Sequence, residues 1–438
     1  AVLNSVKACS DSSFIVTGST DSLYSGPYAV TIKVDYYGEV VWRKSMFGET
    51  GNSRAYSCIL TEPEENCIIT GTAHLIGFPD YAAFIRKYSE AGDVIWTKYY
   101  HDTNPGNPHL CGKSIKPTND NGLIIAGERL VQDTQFLWVL KTDANGDSLW
   151  SRSYPLNHSF SEVTDIAVTS SNEYFVCGQD YPPDGFFIYK LDSNGDTIWT
   201  KTYLPDPPGK FVYSMIQSSD SNLILAGGIY PEAAIFKIDY NGTMLWSKQY
   251  KKYDHLSLFN SISELTDSGF IAAGFTQDWN ANPSAFIVRT DNNGDTLWTK
   301  INDLPGQRIF YGIDMAPDDG FIACGTYVYS GLSRMYLVKF DEYGNGFVDV
   351  TEPVQQNPNP IRLIQSDNQL IIKILSSDLY STEVILSIFD ITGHEMEVKQ
   401  ILINEHPVII DIFNYKNGLY LLHIQSDHIQ QSCKFLKL

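Results

Sequence analysis

One phrase recurs along this chain: Asp, two residues, Gly, three residues, Trp. It stands at Asp35, Gly38 and Trp42, then with Ser for Asp at Ser89, Gly92 and Trp96. It returns at Asp143/Gly146/Trp150, Asp192/Gly195/Trp199, Asp239/Gly242/Trp246 and Asp291/Gly294/Trp298. The seventh copy, Asp341 and Gly344, has Val348 in place of the ring. The glycines step by 54, 54, 49, 47, 52 and 50 residues. A unit of that size, repeated seven times, cannot bury both its faces alone and must stack on its own copies. The period predicts a seven-bladed β-propeller over residues 1–350.

A second phrase keeps the same period. Short apolar runs close on Gly18, Gly71, Gly127, Gly178, Gly227, Gly274 and Gly325, and about ten residues before each comes a pair such as Ser114-Ile115 or Ser261-Ile262. Each repeat therefore reads as four short strands: the Ser-Ile segment, the run into Gly, a third apolar run, and the strand carrying Trp. Asp at the first turn position and Gly at the fourth suit a hairpin turn that ends on a left-handed residue. A Trp four residues later is expected to fill the gap between blades. The ring is expected to close by packing blade seven on blade one, with no borrowed strand.

Composition narrows the class. Hydrophobic residues make up 43% of the 438, enough for real cores, while the formal charge of −20 argues against nucleic acid or anionic lipid as partner. No run of eighteen apolar residues exists to span a membrane as a helix. The chain opens at Ala1 without a charged-then-apolar leader, as a protein freed of its signal peptide would, and as a trimmed chain would too. Seven cysteines at irregular spacing include no CxxC pair and predict no zinc or redox motif. Cys177 and Cys324, each just before a repeat Gly, read as small buried fillers. Cys58 and Cys67 flank a short turn on neighbouring strands, where a disulfide is one expectation.

The repeat stops near Val350. Residues 351–360 are polar, with three prolines, and read as a linker. Residues 361–438 hold short β runs at 370–374, 383–389, 408–412 and 419–424, a small antiparallel β-sandwich. The fold class is thus all-β, a propeller followed by a sandwich.

In this tail four motifs stand in order: Asn357-Pro358-Asn359-Pro360, the turn from Asp390 to Gly393, Gly418 with Tyr420, and the terminal Lys434 and Lys437. Together they resemble the C-terminal sorting domain of type IX secretion cargo. Two departures are Gln356 where an aromatic is usual and His394 where Lys or Arg is usual. The seven-fold repeat also looks like propellers that precede this domain. The resemblance implies Sec-dependent entry to the periplasm of a Gram-negative cell, then export across the outer membrane. The implied partners are the outer-membrane translocon and its shuttle protein, with the product extracellular or displayed on the cell surface.

Chemistry is less legible. The Asp-x-Asn-Gly-Asp turns at Asp143, Asp192 and Asp291 share oxygens with calcium loops, but Trp follows where a bidentate acid belongs, and hairpin turns explain them better. No HExxH, GxSxG or phosphate loop occurs, so no cofactor, metal or catalytic residue is assigned. The strand-one/two and strand-three/four turns are short. The opposite face is expected to carry longer connections, at residues 73–81, 180–184, 277–283 and 326–334 within blades and at 99–111 and 250–259 between them. There Tyr81, Tyr181, Tyr230, Trp279, Tyr327 and Tyr329 are candidate rings for stacking on sugars or anchoring a protein. This reading is a binding or structural module. A glycan-active hydrolase or lyase, and a structural subunit of a surface assembly, are the alternatives.

Overall fold

The computed structural model describes all residues except 21–25, 47–50, 76–80, 102–108, 133, 157–160, 181–184, 205–208, 254, 303–305, 352–360, 367–368, 375–382, 391–393, 403–407, 417, 426–429 and 438. Two compact units emerge, Ala1–Glu352 and Pro353–Leu438. The described residues contain no helix long and apolar enough to cross a membrane.

The first unit holds seven antiparallel four-stranded sheets, each with its strands in sequence order. Blade 5, for example, runs Lys210–Gln217, Leu223–Ile229, Glu232–Ile238 and Met244–Tyr250. The first strands meet one another in ring order, blade 1 to blade 7 and back to blade 1, which closes the propeller. Second and third strands are buried on both faces, as in Leu223–Ile229 and Gly185–Leu191, because a blade packs against a neighbour on each side. Blade 7 and blade 1 share one core, Leu3, Val6, Phe14 and Val30 with Ile322, Cys324, Met335 and Leu337, and no strand is exchanged.

Every first strand carries a β-bulge at the same place. The extra residue is Asn4, Tyr56, Lys113, Thr164, Tyr213, Asn260 or Tyr311. This explains the repeat glycines, each of which lies opposite its bulge. A Cβ at Gly127 would meet the Cys111 carbonyl oxygen at 1.8 Å, and one at Gly227 would meet that of Phe211 at 1.8 Å. The second strand does not stop at this Gly, as the apolar runs suggested; it continues past it, to Tyr329 in blade 7.

The Trp residues clamp blade to blade. Each ring of blades 1 to 6 lies on the turn Gly of the next blade: Trp42 on Gly92, Trp96 on Gly146, Trp150 on Gly195, Trp199 on Gly242, Trp246 on Gly294, Trp298 on Gly344. These glycines have φ between 77° and 84°, so both conformation and space exclude a side chain. Two residues past Trp, a cation reaches the same turn: Lys98 to Asp147 (2.7 Å), Arg152 to Asp196 (2.5 Å), Lys248 to Asp295 (2.6 Å). Four residues past it in blades 2 to 5, a tyrosine hydroxyl donates to the turn glycine's carbonyl, as Tyr100 to Gly146 (2.6 Å) and Tyr250 to Gly294 (2.7 Å), while blades 1 and 6 have Met46 and Asn302 there. At the closing joint Val348 holds the Trp register position, opposite Lys339. There Tyr36 of blade 1 reaches back instead, its hydroxyl donating to Asp318 at 3.3 Å.

The second unit pairs a three-stranded sheet (Ile361–Ser366, Gln369–Ile374, Val408–Asp411) with a four-stranded one (Glu395–Leu402, Glu383–Asp390, Gly418–Gln425, Gln430–Lys437). Leu370, Ile372 and Ile410 from the first pack on Val384, Leu386, Ile388, Leu422 and Ile424 from the second. Cys58 and Cys67 are free and buried. The register sets Cys67 opposite Leu60 and Cys58 opposite Ile69, so the two thiols are not cross-strand partners. Cys177 and Cys324 are fully buried in inter-blade cores.

Candidate functional site

The face opposite the Trp clamps carries the candidate rings. Tyr181 lies outside the described residues. Tyr230 sits in a two-residue connection between Ile229 and Glu232, 63% exposed, its N–H donating to the Gly209 carbonyl at 2.8 Å. Trp279, 73% exposed, rides a turn in which Asp278 Oδ1 accepts from the N–H groups of Asn280 and Asn282 at 2.8 and 2.9 Å. The ring meets His255 edge-on at 4.6 Å. Tyr329, 49% exposed, stacks on Tyr327 at 6.1 Å, and the Arg308 guanidinium lies 4.2 Å from the Tyr327 ring. Tyr81 is different: it is wedged between His74 and His109, each 5.3 Å away, and its N–H donates to His109 Nδ1. It is a pinned ring, on blade 2.

The structure thus brings Tyr230, Trp279 and Tyr329 onto three consecutive blades, 5 to 7, at the same within-blade connection. In blade 7 it corrects the expectation of a long loop, whereas in blade 6 the five residues 278–282 do separate the two strands, as expected. Residues 326–329 and 332–334 are strand, joined by Ser330 and Gly331, and Tyr230 lies in an equally tight hairpin. The second strand, freed to run past its repeat Gly, carries its pairing out to the tip.

Around the axis the first strands enclose a cavity of about 180 Å³. Its wall combines the bulge residues with a hydroxyl ring one position on, including Ser5, Ser57, Ser214 and Ser261. Several of these tie blades together: Ser57 Oγ accepts the Ile115 N–H at 3.4 Å and Ser261 Oγ that of Ile313 at 3.2 Å. Asp165 takes this place in blade 4, accepting from Ser114 Oγ (2.6 Å), the Met215 N–H (2.9 Å) and Lys116 (3.4 Å). Asp314 is held by Lys7 at 2.9 Å and by the Ala8 N–H at 3.0 Å. Lys113 is bound by Glu162 at 2.9 Å and Glu128 at 3.5 Å, across the blade 3–4 joint. Burial pushes the Glu128 carboxyl up, and Lys113 opposes that shift. Burial also pushes up the Tyr56, Tyr213 and Tyr311 phenols.

On the turn face the oxygens of the Asp-x-Asn-Gly-Asp turns have work within the fold. Asp291 Oδ1 accepts from the Asn293 and Asp295 N–H groups at 2.9 and 2.8 Å, and the bond from Asp295 leads in holding its carboxyl below the usual range. Cys9, Asp11 and Glu65 also converge there. Glu65 accepts the Ser10 N–H, Asp11 binds Ser13 and Lys33, and burial pushes the Cys9 thiol up to about 11.

In the tail, Asp390 and His394 exchange two hydrogen bonds across the motif turn: backbone N–H to carbonyl, and the His394 N–H to Asp390 Oδ1, both 3.0 Å. Tyr420 packs on Tyr415 at 5.2 Å and donates to the Lys416 carbonyl at 2.8 Å. Its strand, opening at Gly418, pairs with the strand that carries Lys434 and Lys437. Asn357 to Pro360 and Gly393 lie outside the described residues.

A closed seven-bladed ring followed by a separate small β-sandwich defines a modular all-β protein with an appended C-terminal domain. Residues 358–437 match the family described as "Secretion system C-terminal sorting domain". The chain is type IX secretion cargo, exported to the cell surface or the extracellular space.

No curated protein matches the sequence. Among solved structures, a protein of unknown function from Bacteroides caccae is similar at 11% identity, covering 67% of this chain and 96% of that one, with a TM-score of 0.45. Penicillium chrysogenum alpha-L-arabinanase, complexed with arabinobiose, shares 9% identity over 66% of this chain and 94% of its own, at 0.44. A luciferin-regenerating enzyme shares 10% over 69% and 92%, at 0.39. These likenesses are too distant to specify a function.

Two features escaped the sequence reading. The cation two residues past Trp, and the tyrosine four past it in blades 2 to 5, stand in the sequence, but their partner turn belongs to the next blade and only the fold brings them to it. The Ser-Ile pair marked a strand, and its bulge could not be seen without the register.

Proposed function

We propose that the exported propeller is a binding module, and that its ligand is a glycan held across blades 5 to 7. The observation that carries this is the arc of Tyr230, Trp279 and Tyr329, exposed rings at the tips of adjacent blades. A large exposed ring is costly in water unless something covers it, and a flat ring face matches the apolar face of a sugar. Two-residue hairpins at Tyr230 and Tyr329, and the Asp278 turn at Trp279, hold the rings with little freedom to lose on binding. Catalysis is less well supported: among the described residues, Asp165, which lines the channel, and Asp314, which does not, are both engaged by neighbouring blades.

Affinity electrophoresis through gels containing soluble arabinan, xylan, mannan or β-glucan tests the reading. At least one polymer should retard the protein, and the triple variant Tyr230→Ala, Trp279→Ala, Tyr329→Ala should run unretarded. No retardation by any of them, or undiminished retardation of the triple variant, contradicts it.

A surface-assembly role rests on a separate observation. The residue before Trp is an exposed aliphatic in six blades: Val41, Ile95, Leu149, Ile198, Leu245 and Leu297. Such a repeated rim would suit packing against other subunits.

A further inference from the structure

We propose that the glycan on the aromatic arc is an acidic one, its carboxylate or sulfate held at blade 7 by Arg308 and Arg334; this rests on the glycan site proposed above and names the class of ligand it takes. The register sets the two arginines in one row. Arg308 on the first strand lies opposite Tyr327 on the second, and Tyr327 lies opposite Arg334 on the third. Residues directly opposite in an antiparallel sheet share a face, and so do residues two apart along a strand. Arg308, Tyr327, Arg334 and the exposed Tyr329 therefore stand on one face of the blade tip. Tyr327 packs on the core that blade 7 shares with Ile271 and Ile287 of blade 6, so this face looks toward the blade that carries Trp279.

The repeat supplies an internal comparison. The row two positions past the repeat Gly is Ser53, Ala73 and Ala82 in blade 2, and Ser257, Thr276 and Ser284 in blade 6. Blade 3 has one cation, Arg129, between Leu110 and Phe136. Blade 5 has Lys210, Ile229 and Glu232, one cation and one carboxylate. The blade architecture does not require cations in this row, and blade 7 places two.

The side chains are placed for an oxyanion. Arg308 is only 4% exposed, and its guanidinium lies 4.2 Å from the centre of the Tyr327 ring. Tyr327 is in turn fixed by Tyr329, stacked at 6.1 Å, and by Gly306, where a Cβ would come within 2.4 Å of the ring. Arg334 is half-buried, and its Nε is buried with no hydrogen-bond partner among the described residues. A guanidinium stays charged, so an N–H left unmet in a buried place is costly, and a ligand that accepts it accounts for the arrangement. Its fork matches a carboxylate or sulfate with two parallel bonds, and the rings beside it match the sugar that carries the acid.

Affinity electrophoresis of the full chain with matched polymers tests this: polygalacturonate against its methyl ester, and dextran sulfate against dextran. In at least one pair the anionic polymer should retard the protein at an about tenfold lower concentration, the worth of one charge-assisted hydrogen bond. Added sodium chloride should narrow the difference, and the pair that responds distinguishes carboxylate from sulfate. Arg334→Gln should erase the difference, while Arg334→Lys, which keeps the charge but not the fork, should retain only part of it. Unfolding midpoints confirm that each variant is folded. If neither anionic polymer retards the chain more than its neutral partner, or if Arg334→Gln keeps the difference, the acid preference fails while retardation by neutral polymers still supports the arc. Anionic retardation that survives the triple ring variant is bulk charge attraction and overturns the proposal too. No retardation by any polymer, neutral or anionic, defeats the glycan site itself and this inference with it.

Discussion

The indole of Trp246 lies on Gly294 of the following blade, so close that a Cβ added there would come within 2.8 Å of the ring. Gly294 has φ of 79°, and its carbonyl accepts the Tyr250 hydroxyl of the same outer strand that carries Trp246. One glycine thus joins a turn, a stacking surface and an acceptor. Gly294→Ala should destabilise the propeller by about 2–3 kcal/mol, combining backbone strain and overpacking. Denaturant titration reads this as a lower midpoint. An unchanged midpoint would mean that the clamp is loose.

The two polar arms of the clamp should differ in weight. Lys248 and Asp295 form an exposed pair, and such pairs contribute about 0–1 kcal/mol. Tyr250 is buried, with its hydroxyl bonded to the Gly294 carbonyl. Tyr250→Phe should cost about 1 kcal/mol or more, because a buried carbonyl loses its partner. Lys248→Met should cost less, and added salt should reduce its effect further. Comparing the two midpoints in low and high salt checks both statements.

Acid should weaken the ring through a set of turn carboxylates. Asp11, Asp120, Asp220, Asp267 and Asp318 each pair with a cation on the third strand of the same blade: Lys33, Lys141, Lys237, Arg289 and Lys339. Burial raises these carboxyls, but hydrogen bonds from the cations and turn groups outweigh it and hold all five below the usual 3.8. A carboxyl depressed in the folded state stabilises it above the unfolded value. That stability is lost as pH falls through the lower, folded values. Unfolding midpoints should hold near neutral pH and drop below about pH 4. Lys237→Met should make the drop shallower, since Asp220 then titrates nearer its unfolded value. A steeper or unchanged acid slope in that variant would contradict the assignment.

Ligand binding on the arc should report through one ring. Trp279 is the most exposed of the large apolar side chains described, at 73%. A polymer that retards the protein should therefore change its fluorescence, and that change should vanish in Trp279→Phe with the fold intact. Tyr81→Ala should leave binding in place, because that ring is packed between His74 and His109. Loss of binding in Tyr81→Ala alone would move the site to blades 2 and 3.

Most of the architecture was legible because each unit is repeated. A turn Gly and a Trp at fixed spacing define a hairpin and its packing surface, and seven repetitions define the ring. What the sequence hid was register. Ser261 and Ile262 read as one strand whether or not Asn260 bulges, and only pairing of Phe259 with Gly274 and Ser261 with Ala273 reveals the extra residue. The same blindness made residues 326–334 look like a loop, since a strand that continues past Gly325 shows no change of composition there. The arc was only partly visible. Sequence named the rings, but the turn at Asp278 and the hairpins at Tyr230 and Ser330 decide which are exposed, and the wedge between two histidines removes Tyr81.

Export is tested most directly by following the intact chain in cells with and without a working type IX system. Mass spectrometry of surface, medium and periplasmic fractions should find the propeller outside the cell only when the system is active. A chain lacking residues 353–438 should remain in the periplasm even then, with the propeller folded. Equal export with the system disabled, or normal export of the truncated chain, would contradict the account.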